Sequence, residues 1–252
     1  MVDLNSDLGE GYGQWAMGDD AAMMGIVSSA NIACGGHAGD PETMYKALRR
    51  AVELGVTVGA HPGYADREGF GRRALPMSPP EIGRLVAAQV GALVGVAELA
   101  GAVVRYVKPH GALGNLAAAD RTVADAIVES TVALPGQLAV LAISGTELEH
   151  AAREAGVQVF SEIFADRAYQ QSGQLVPRSK PGAVIHDAGE AADRLLGYFK
   201  SGLMPVIGGD PIPLMCHSIC VHGDTISSVE MARHIRSKLL AAGIAITSFL
   251  QP

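Results

Sequence analysis

The strongest restriction on the fold is an alternation that runs along the whole chain. Short apolar runs are separated by segments in which apolar residues recur with helical spacing. Seven of the runs are predicted strands, and they lie at 2–5, 30–34, 56–61, 103–108, 138–143, 157–164 and 218–222, with 244–249 as a candidate eighth. Because this alternation is typical of strand–helix repeats around a parallel sheet, the chain is predicted to be an α/β protein.

The helical segments carry start signals. Asp40 and Ser78, each followed by a proline, have the residue types preferred at an N-cap and first helical position, and Thr225 is predicted to cap the last helix. No low-complexity linker separates the repeats, and the length suits one large core. We therefore predict a single domain over 1–252.

Polar residues follow nearly every predicted strand. In a parallel β/α barrel the carboxyl ends of all strands meet at one rim, where active sites are built. The candidate site residues at these strand ends are Asn5, Asp7, Glu10, His37, Asp40, His61, Asp66, Lys108, His110, Glu162, Asp166, His222 and Asp224. Four of them are histidines within two residues of a glycine, which favours close approach of a ligand, although tight turns also explain the glycines. We expect these residues to converge on one cavity.

Composition and motifs exclude several classes of function. The formal net charge is −7 and no basic run interleaved with aromatic residues occurs, so no nucleic-acid partner is expected. Neither the P-loop pattern GxxxxGK followed by Ser or Thr nor the GxSxG nucleophile elbow is present. Cys34 is interpreted as a small buried residue rather than as a nucleophile.

The same features bear on location. The three cysteines lack CxxC spacing, and the N-terminus lacks the basic-then-apolar pattern of a signal peptide. The most apolar segment, 85–104, is interrupted by Gln89, Glu98 and three glycines, and is interpreted as helix, turn and strand. We therefore predict a soluble cytoplasmic protein without a membrane span.

One segment breaks the strand–helix rhythm. Residues 165–182 are polar, contain two prolines and are too long for an ordinary connection. Loops of this length in compact domains are often functional, and the alternative is a solvated excursion.

The acids and imidazoles also permit a metal site. Asp7, His37 and His61 would supply one carboxylate and two imidazoles, a set suited to a divalent ion that activates water. The same residues can instead hydrogen-bond a polar substrate without a metal. Both interpretations stay open at this point.

The chain contains six blocks that resemble the LamB/YcsF family. They are DLNSDLGEGYG (3–13), SANIACGGHAGDP (29–41), GAHPGYADREGFGRR (59–73), VKPHGALGN (107–115), EIFADRAYQQSGQLVPRSKPGAVI (162–185) and CVHGDT (220–225). The blocks are long and span nearly the whole chain. The sequence is therefore identified as that of a member of this family.

The resemblance implies a fold and an activity. The implied fold is a distorted seven-stranded β/α (TIM-like) barrel of the glycoside hydrolase/deacetylase type, which agrees with the strand count. Family members work with two other subunits to open 5-oxo-L-proline to L-glutamate, coupled to ATP hydrolysis. The implied cofactors are ATP and Mg²⁺, while a protein-bound metal and self-association are left open.

The resemblance also implies roles for residues. The implied catalytic set is Asp7, His61, Lys108 and His110, and the implied substrate or nucleotide contacts are Asn5, Glu10, His37, Asp40, Arg72, Arg73, Glu162, Asp166, Arg167, His222 and Asp224. The cations would neutralise phosphate or carboxylate oxygens. The imidazoles His61 or His110 would move a proton or hold the ring amide, and the carboxylates of Asp7 and Glu10 would orient water or Mg²⁺. Asp166 and Arg167, in the long loop, would close over the substrate.

Two positions depart from the family pattern. Gly36 stands where phenylalanine is expected and Gly114 where tyrosine is expected. Each change removes an aromatic ring beside a predicted site residue while leaving the histidines in place. We expect an altered pocket shape rather than an altered reaction class.

Two other functions remain as alternatives. A stand-alone metal-dependent amide hydrolase would be analogous to barrel deacetylases, but the HxxxH spacing common in those enzymes is absent. A non-catalytic binding protein would use the rim residues to grip a ligand while partner subunits perform the chemistry.

Overall fold

The alternation of strands and helices closes into a barrel in the computed structural model, which describes residues 1–222 and 228–250. The strands are β1 (Asp3–Leu8), β2 (Ser29–Ala33), β3 (Thr57–His61), β4 (Val104–Val107), β5 (Ala139–Ile143), β6 (Val159–Phe164), β7 (Leu203–Met204), β8 (Ile212–Pro213) and β9 (Ser218–Cys220). Seven of them form a closed parallel barrel in the order β1-β2-β3-β4-β5-β6-β9, and β9 pairs with β1 to complete it. The predicted seven-stranded β/α barrel is confirmed.

Helices cover the outside of this barrel. They are α1 (Asp20–Met24), α2 (Pro41–Leu54), α3 (Pro79–Ala100), α4 (Gly111–Ala119), α5 (Arg121–Ala133), α6 (Glu147–Glu154), α7 (Ala188–Ser201) and α8 (Ser228–Ala241). The predicted start of α2 is confirmed, since Asp40 Oδ1 accepts from Thr43 N at 2.8 Å. Ser78 begins α3, and its backbone N donates to Glu81 Oε2 at 2.7 Å. The predicted cap Thr225 lies outside the described residues.

Helix α3 is long and apolar enough to pass the length and composition test for a membrane span. In the structure it instead supplies part of the outer helical layer. Ile82, Val86, Val90 and Leu93 are fully buried in the protein core. Such a buried stripe is what a core helix of a β/α barrel requires.

The inside of the barrel is polar along β1. Asp3, Asn5 and Asp7 point inward into hydrogen-bonded networks, and Leu4 and Leu8 belong to the apolar core outside the barrel. The predicted first strand, 2–5, therefore ended too early. The observed strand continues to Leu8 and so includes Asp7. Polar residues fit into this strand because side chains alternate between its two faces, and one face lines the inside of the barrel.

The candidate eighth strand, 244–249, is wrong. The segment forms a single bridge, from Ile246 to Val2, and then passes under the amino ends of the strands. The Phe249 ring lies 5.0 Å from that of Tyr106 and 4.5 Å from that of Phe160, measured between centroids. Apolar packing at the closed end of the barrel, rather than strand pairing, explains the apolar character of this segment.

Candidate functional site

A cavity of about 610 Å³ opens at the carboxyl ends of the barrel strands. Its volume lies in the range of roughly 300–1,000 Å³ that is usual for small-molecule sites. The predicted site residues that line it are Asp7, Glu10, His61, Arg72, Lys108, His110, Glu162, Arg167 and His222. The predicted convergence of chain-distant residues on one rim is thus confirmed.

The remaining predicted site residues lie elsewhere. Asn5 is buried beneath the cavity, where its amide donates to Glu162 at 2.9 Å. Asp40 is occupied in capping α2 and also accepts from Gly13 N at 2.7 Å, so it does not line the cavity. Arg73 turns away to form an ion pair with Asp66. Asp224 lies outside the described residues.

Lys108 is the centre of the buried part of the site. Its Nζ lies 3.0 Å from Asp7 Oδ1 and 2.9 Å from Glu162 Oε1, and it donates to Asn5 Oδ1 at 3.2 Å. The Lys108 side chain is 6% exposed. A cation buried this deeply is stable only with such anionic partners, because desolvation of an unpaired charge costs several kcal/mol.

The same pairing shifts the pKa values of the three groups. Burial by itself would lower the pKa of Lys108, but the acidic groups of Asp7, Cys220 and Glu162 raise it well above its usual value. Burial opposes ionisation of Asp7, yet His61 and Lys108 hold the pKa of this carboxyl well below 3.8. Burial raises the pKa of Glu162 despite the opposing effect of Lys108. At neutral pH, Lys108 is therefore a cation and Asp7 an anion.

Three imidazoles and one carboxylate lie next to this ion pair and are called here the histidine cluster: Glu10, His37, His61 and His110. His110 Nδ1 lies 3.0 Å from His61 Nε2 and 3.5 Å from Glu10 Oε1, and His37 Nε2 lies 3.1 Å from Glu10 Oε1. The rings of His37 and His110 are stacked at 3.6 Å. All four residues are buried, and burial lowers the pKa of His37 and of His110 well below 6.5.

Main-chain carbonyls orient two of these rings. His61 Nδ1 lies 2.6 Å from the carbonyl oxygen of Lys108, and His110 Nε2 lies 2.8 Å from that of Phe70. Phe70 adopts a left-handed backbone with φ of 52°, which is uncommon for a residue with a side chain. The next residue must be glycine, since a Cβ at Gly71 would lie 2.6 Å from His37 Cβ. This strained turn aims the Phe70 carbonyl at His110.

A glutamine from α3 supports the other side of the cluster. Gln89 Nε2 donates to Gly63 O at 2.7 Å, and its Oε1 accepts from Gly63 N at 3.1 Å. A Cβ on Gly63 would lie 2.8 Å from His37 Nδ1, so this backbone packs directly against the stacked rings. A Cβ on Gly36 would collide with the Gln89 amide. The glycine at position 36 is therefore the residue that leaves room for this Gln89 contact.

Gly114, the second departure from the family pattern, lines the cavity. A Cβ there would lie 2.6 Å from Pro109 O, which is closer than real Cβ contacts. A larger residue would need the Pro109 peptide to move. The present path of the Pro109 peptide therefore requires glycine at this position of the cavity wall.

The mouth of the cavity is lined by arginines. Arg72 and Arg178 are exposed there, and Arg167 is buried. The Arg167 guanidinium donates to Val176 O at 2.6 Å and Ala183 O at 3.3 Å, and it forms no ion pair within residues 1–222 and 228–250. Burial and Arg178 lower the pKa of Arg167 to about 10, which still leaves it charged at neutral pH. The mouth is suited to an anionic ligand.

The segment 165–182 forms this wall rather than a solvated excursion. Its residues Ala168 and Val176 make a small buried cluster with Ala183 and Val184. The Tyr169 hydroxyl oxygen accepts from Phe164 N at 2.8 Å, and Gln174 Nε2 donates to Ala118 O at 2.9 Å. The loop is therefore fixed to the barrel and to α4.

A pair formed by one imidazole and one carboxylate, His222 and Asp166, is also part of the site. His222 Nδ1 lies 2.7 Å from Asp166 Oδ2, and the His222 ring stacks on Phe164 at 5.5 Å. Burial would raise the pKa of Asp166, but His222 lowers it below 3.8. An ionised carboxylate beside Nδ1 fixes the ring tautomer, leaving Nε2 for proton exchange.

Several residues of the site were missed from the sequence. Gln89 stood out only as an interruption of an apolar segment, although a buried amide in a core helix is itself a signal of a specific partner. Arg178 was not singled out within the long loop. Phe164 and Cys220 stood out only as strand residues, yet Lys108 Nζ lies 5.4 Å from the Phe164 ring centroid and 3.2 Å from Cys220 Sγ.

The fold and the site define a class of protein. A closed parallel β/α barrel carries, at the carboxyl ends of its strands, a deep polar cavity with a buried lysine, two carboxylates and several imidazoles, which is the architecture of a barrel enzyme. The chain belongs to the LamB/YcsF family, which it matches over residues 2–252.

Comparison with individual proteins agrees with this assignment. The chain is 51% identical over 245 residues to a 5-oxoprolinase subunit from Gluconobacter oxydans, covering 97% of this chain and 96% of the relative. The crystal structure of a lactam utilization protein from Thermus thermophilus superposes with a TM-score of 0.90 at 42% identity, covering 98% of each chain. A T48 deacetylase, at 13% identity and a TM-score of 0.50 over 98% of this chain and 89% of that one, shares the fold alone.

Proposed function

We propose that this chain is the subunit of an ATP-dependent 5-oxoprolinase that opens the lactam ring of 5-oxo-L-proline to L-glutamate. The observation that carries the proposal is Lys108, a buried cation held between Asp7 and Glu162 in a cavity with an arginine-lined mouth. The relationship to proteins named as 5-oxoprolinase subunits supplies the substrate.

The arginine-lined mouth suits both anionic groups of the proposed reaction. The carboxylate of 5-oxoproline and the phosphate of a nucleotide each accept charge-assisted hydrogen bonds, which are stronger than neutral ones. Arg167 carries its positive charge without an ion-pair partner in the described part of the chain. We assign Arg167 and Arg178 to these anions, together with Arg72.

The coupling to ATP follows from the chemistry of the ring. A five-membered lactam is a stabilised amide, and phosphorylation of its oxygen both weakens the amide and drives the overall reaction. Water then adds to the ring carbon, the C–N bond breaks, and the ring nitrogen takes up a proton. A second water releases phosphate, so ATP, 5-oxoproline and two waters give ADP, phosphate and glutamate.

The buried residues have complementary parts in this sequence of steps. The Lys108 ammonium would stabilise negative charge developing on oxygen, and ionised Asp7 would orient water. His222, held by Asp166, has the geometry of a proton donor and acceptor for the ring nitrogen. His61 and His110 border the same space.

The remaining components are also part of the proposal. ATP would enter as its Mg²⁺ complex, with nucleotide contacts that do not use a P-loop. Two partner subunits would complete the enzyme, and the complex would work in the cytoplasm. The three cysteines, which are all free, suit a reducing compartment.

Reconstitution tests the proposal. The chain mixed with its two partner subunits, ATP and Mg²⁺ should release glutamate from 5-oxoproline, and omission of the chain should abolish release. Absence of turnover in a correctly assembled complex would overturn the proposal. Replacement of Asp7, Lys108 and His110 together separates catalysis from mere ligand binding, because turnover that survives this change would assign the chemistry to one of the partners.

A stand-alone metal-dependent amide hydrolase is the second candidate, and the histidine cluster is the observation that favours it. Such an enzyme would hydrolyse an amide without ATP or partner subunits. Assay of the isolated chain with metal and without nucleotide distinguishes the two functions.

A further inference from the structure

The hydrogen atoms of two rings in the histidine cluster are fixed by their neighbours. A carbonyl oxygen only accepts hydrogen bonds, so His61 Nδ1 and His110 Nε2, which face the carbonyls of Lys108 and Phe70, must both carry hydrogen. In the neutral rings the other nitrogens, His61 Nε2 and His110 Nδ1, are then lone-pair acceptors. These two nitrogens face each other at 3.0 Å.

Two lone pairs at this separation repel, and a positive species between or beside them removes the repulsion. Either one proton is shared by the rings or a cation binds to both. Glu10 Oε1, 3.5 Å from His110 Nδ1, and Asp7 Oδ2, 3.3 Å from His61 Nε2, add negative charge at the same place. The site is therefore built to hold positive charge.

The spacing of the donor atoms suits a metal ion. Zinc is bound by imidazole nitrogen at about 2.0–2.1 Å in tetrahedral sites, which places neighbouring donor atoms about 3.3 Å apart. His110 Nδ1 lies 3.0 Å from His61 Nε2 and 3.5 Å from Glu10 Oε1. One donor atom from each of the four residues lies within 4.8 Å of every other.

We propose that the histidine cluster binds one divalent transition-metal ion of the zinc class through Glu10 Oε1, His61 Nε2 and His110 Nδ1. The His37 ring is stacked parallel on that of His110, so it cannot share the ion and instead holds Glu10 through Nε2. Imidazole nitrogens select such ions over Mg²⁺, which prefers oxygen ligands. The carbonyls of Lys108 and Phe70 act as the outer hydrogen-bond partners that orient ligating histidines.

This ligand set differs from the one that the sequence suggested. Asp7 was a predicted ligand with His37 and His61. Its Oδ1 is taken by Lys108 at 3.0 Å and by the Asn31 amide at 2.8 Å, and Asp7 does not belong to the group of donors that lie within 4.8 Å of one another. Glu10 and His110 take the places of Asp7 and His37. When bound, an ion of this kind polarises a carbonyl or lowers the pKa of a bound water. The inference stands on the cluster itself and does not rest on the proposed lactam chemistry.

The test measures metal binding to the isolated full-length chain. Protein stripped with a chelator is titrated with Zn²⁺ by calorimetry at pH 7.5, and with Co²⁺ by its visible absorption, which reports the coordination geometry. We expect one equivalent of either ion, a tetrahedral Co²⁺ spectrum and a rise in Tm with Zn²⁺. Mg²⁺ should produce none of these changes.

Variants locate the site. Glu10→Gln and His110→Ala should each weaken Zn²⁺ binding by at least about 100-fold, since changes in outer partners alone cost 10–100-fold. His222→Ala, which removes a cavity histidine outside the cluster, should change the Kd by less than about 3-fold. If His110→Ala fails to fold by circular dichroism, the nearly isosteric Glu10→Gln decides.

Three outcomes would overturn the proposal. The first is no binding to the wild-type chain, which would leave the shared proton as the resolution of the facing nitrogens. The second is equal binding to Glu10→Gln, which would place the ion elsewhere. The third is a loss with Asp7→Asn but not with Glu10→Gln, which would restore Asp7 as the ligand. Metal binding without glutamate release in the reconstituted complex would instead contradict only the proposed function.

Discussion

Two aspartates on the inward face of β1 show how the two ends of the barrel differ. Asp3, at the amino end, accepts hydrogen bonds from Ser28, Ser29 and Ser218, and burial raises its pKa from 3.8 to about 6. Asp7, at the rim, is also buried, but His61 and Lys108 hold its pKa well below 3.8. One strand thus carries a carboxyl that resists ionisation and another that is firmly ionised.

The neighbouring side chains, rather than burial alone, therefore decide whether the pKa of a carboxyl group inside this barrel is raised or lowered. Hydroxyl groups satisfy the hydrogen bonds of Asp3 without supplying positive charge, so desolvation dominates. Lys108 supplies that charge to Asp7. Only the rim end opens to the cavity, so the ionised, reactive groups lie where a substrate can reach them.

Replacement of Lys108, whose positive charge makes Asp7 differ from Asp3, should have the largest effect on turnover and stability. Lys108→Met would leave Asp7 and Glu162 buried without their partner, making the environment of Asp7 resemble that of Asp3. We expect glutamate release by the reconstituted complex to fall at least about 10³-fold. The free energy of unfolding should fall by about 3–5 kcal/mol, as when one member of a buried ion pair is removed. Turnover assays and urea denaturation measure the two effects.

Lys46→Met is the matched control for this change. Lys46 pairs with Glu42 on the exposed surface of α2, so its loss should alter neither turnover nor stability appreciably. A Lys108→Met chain that retains wild-type turnover would show that the rim ion pair is only structural.

The amino end is tested by Asp3→Asn and pH. A carboxyl whose pKa is raised by folding contributes stability that is fully present below its unfolded pKa and is lost as pH rises through its folded pKa. Relative to the variant, the wild type should therefore lose stability between pH 4 and pH 7. The difference between 3.8 and about 6, at 1.36 kcal/mol per pH unit, amounts to about 3 kcal/mol. Denaturation curves of both proteins across this range measure it.

Glutamate release should distinguish Asp3→Asn from the change at Lys108. Because Asp3 does not line the cavity, the variant should keep glutamate release within about 3-fold of wild type. A pH-independent stability difference would mean that Asp3 is ionised throughout this range, as Asp7 is, and would remove the contrast between the two ends.

A smaller effect is expected from two glycines whose missing side chains leave room for a neighbour. Gly36→Ala should cost about 1–3 kcal/mol because its Cβ meets the Gln89 amide, and Gln89→Ala in the same chain should recover most of this cost. Gly59→Ala, in the middle of β3, is the control. Its Cβ would meet the Tyr106 ring, which is held by a 2.6 Å hydrogen bond to Asn31, so Gln89→Ala should not relieve it. Denaturation of the single and double variants completes this cycle. If the losses of stability caused by Gly36→Ala and Gln89→Ala simply add in the double variant, the Gln89 side chain does not occupy the space that a Cβ at position 36 needs.

The comparison of β1 with the carboxy-terminal segment shows which strands the sequence predicts well. Alternation, start signals and strand count predicted seven strands alternating with helices, because each depends on residues near one another in the chain, and the family resemblance implied that these strands close into a barrel. The segment 244–249 has strand-like residues, yet Phe249 packs under the barrel. Apolar composition cannot distinguish a strand from such a plug, since both are buried.

For the site, strand ends predicted which residues meet but not which atoms touch. Lys108, Asp7 and Glu162 were all named from their positions after or near strand ends, and they lie together. Asp40 met the same criterion but caps a helix, and Arg73, which the resemblance implied, pairs with Asp66. Such local competition depends on side-chain direction, which the sequence does not specify.

The strand–helix repeats, the family and many of the rim residues could be predicted from the sequence, and the family resemblance implied the barrel, because periodicity and motif spacing are properties of the chain itself. Barrel closure was needed to establish that Lys108 neutralises Asp7, that Glu10 and His110 join two other histidines, and that Gln89 fills the space beside Gly36. These relations arise between residues that closure brings together. Electrostatic and steric effects act over a few ångströms of space, whatever the separation along the chain.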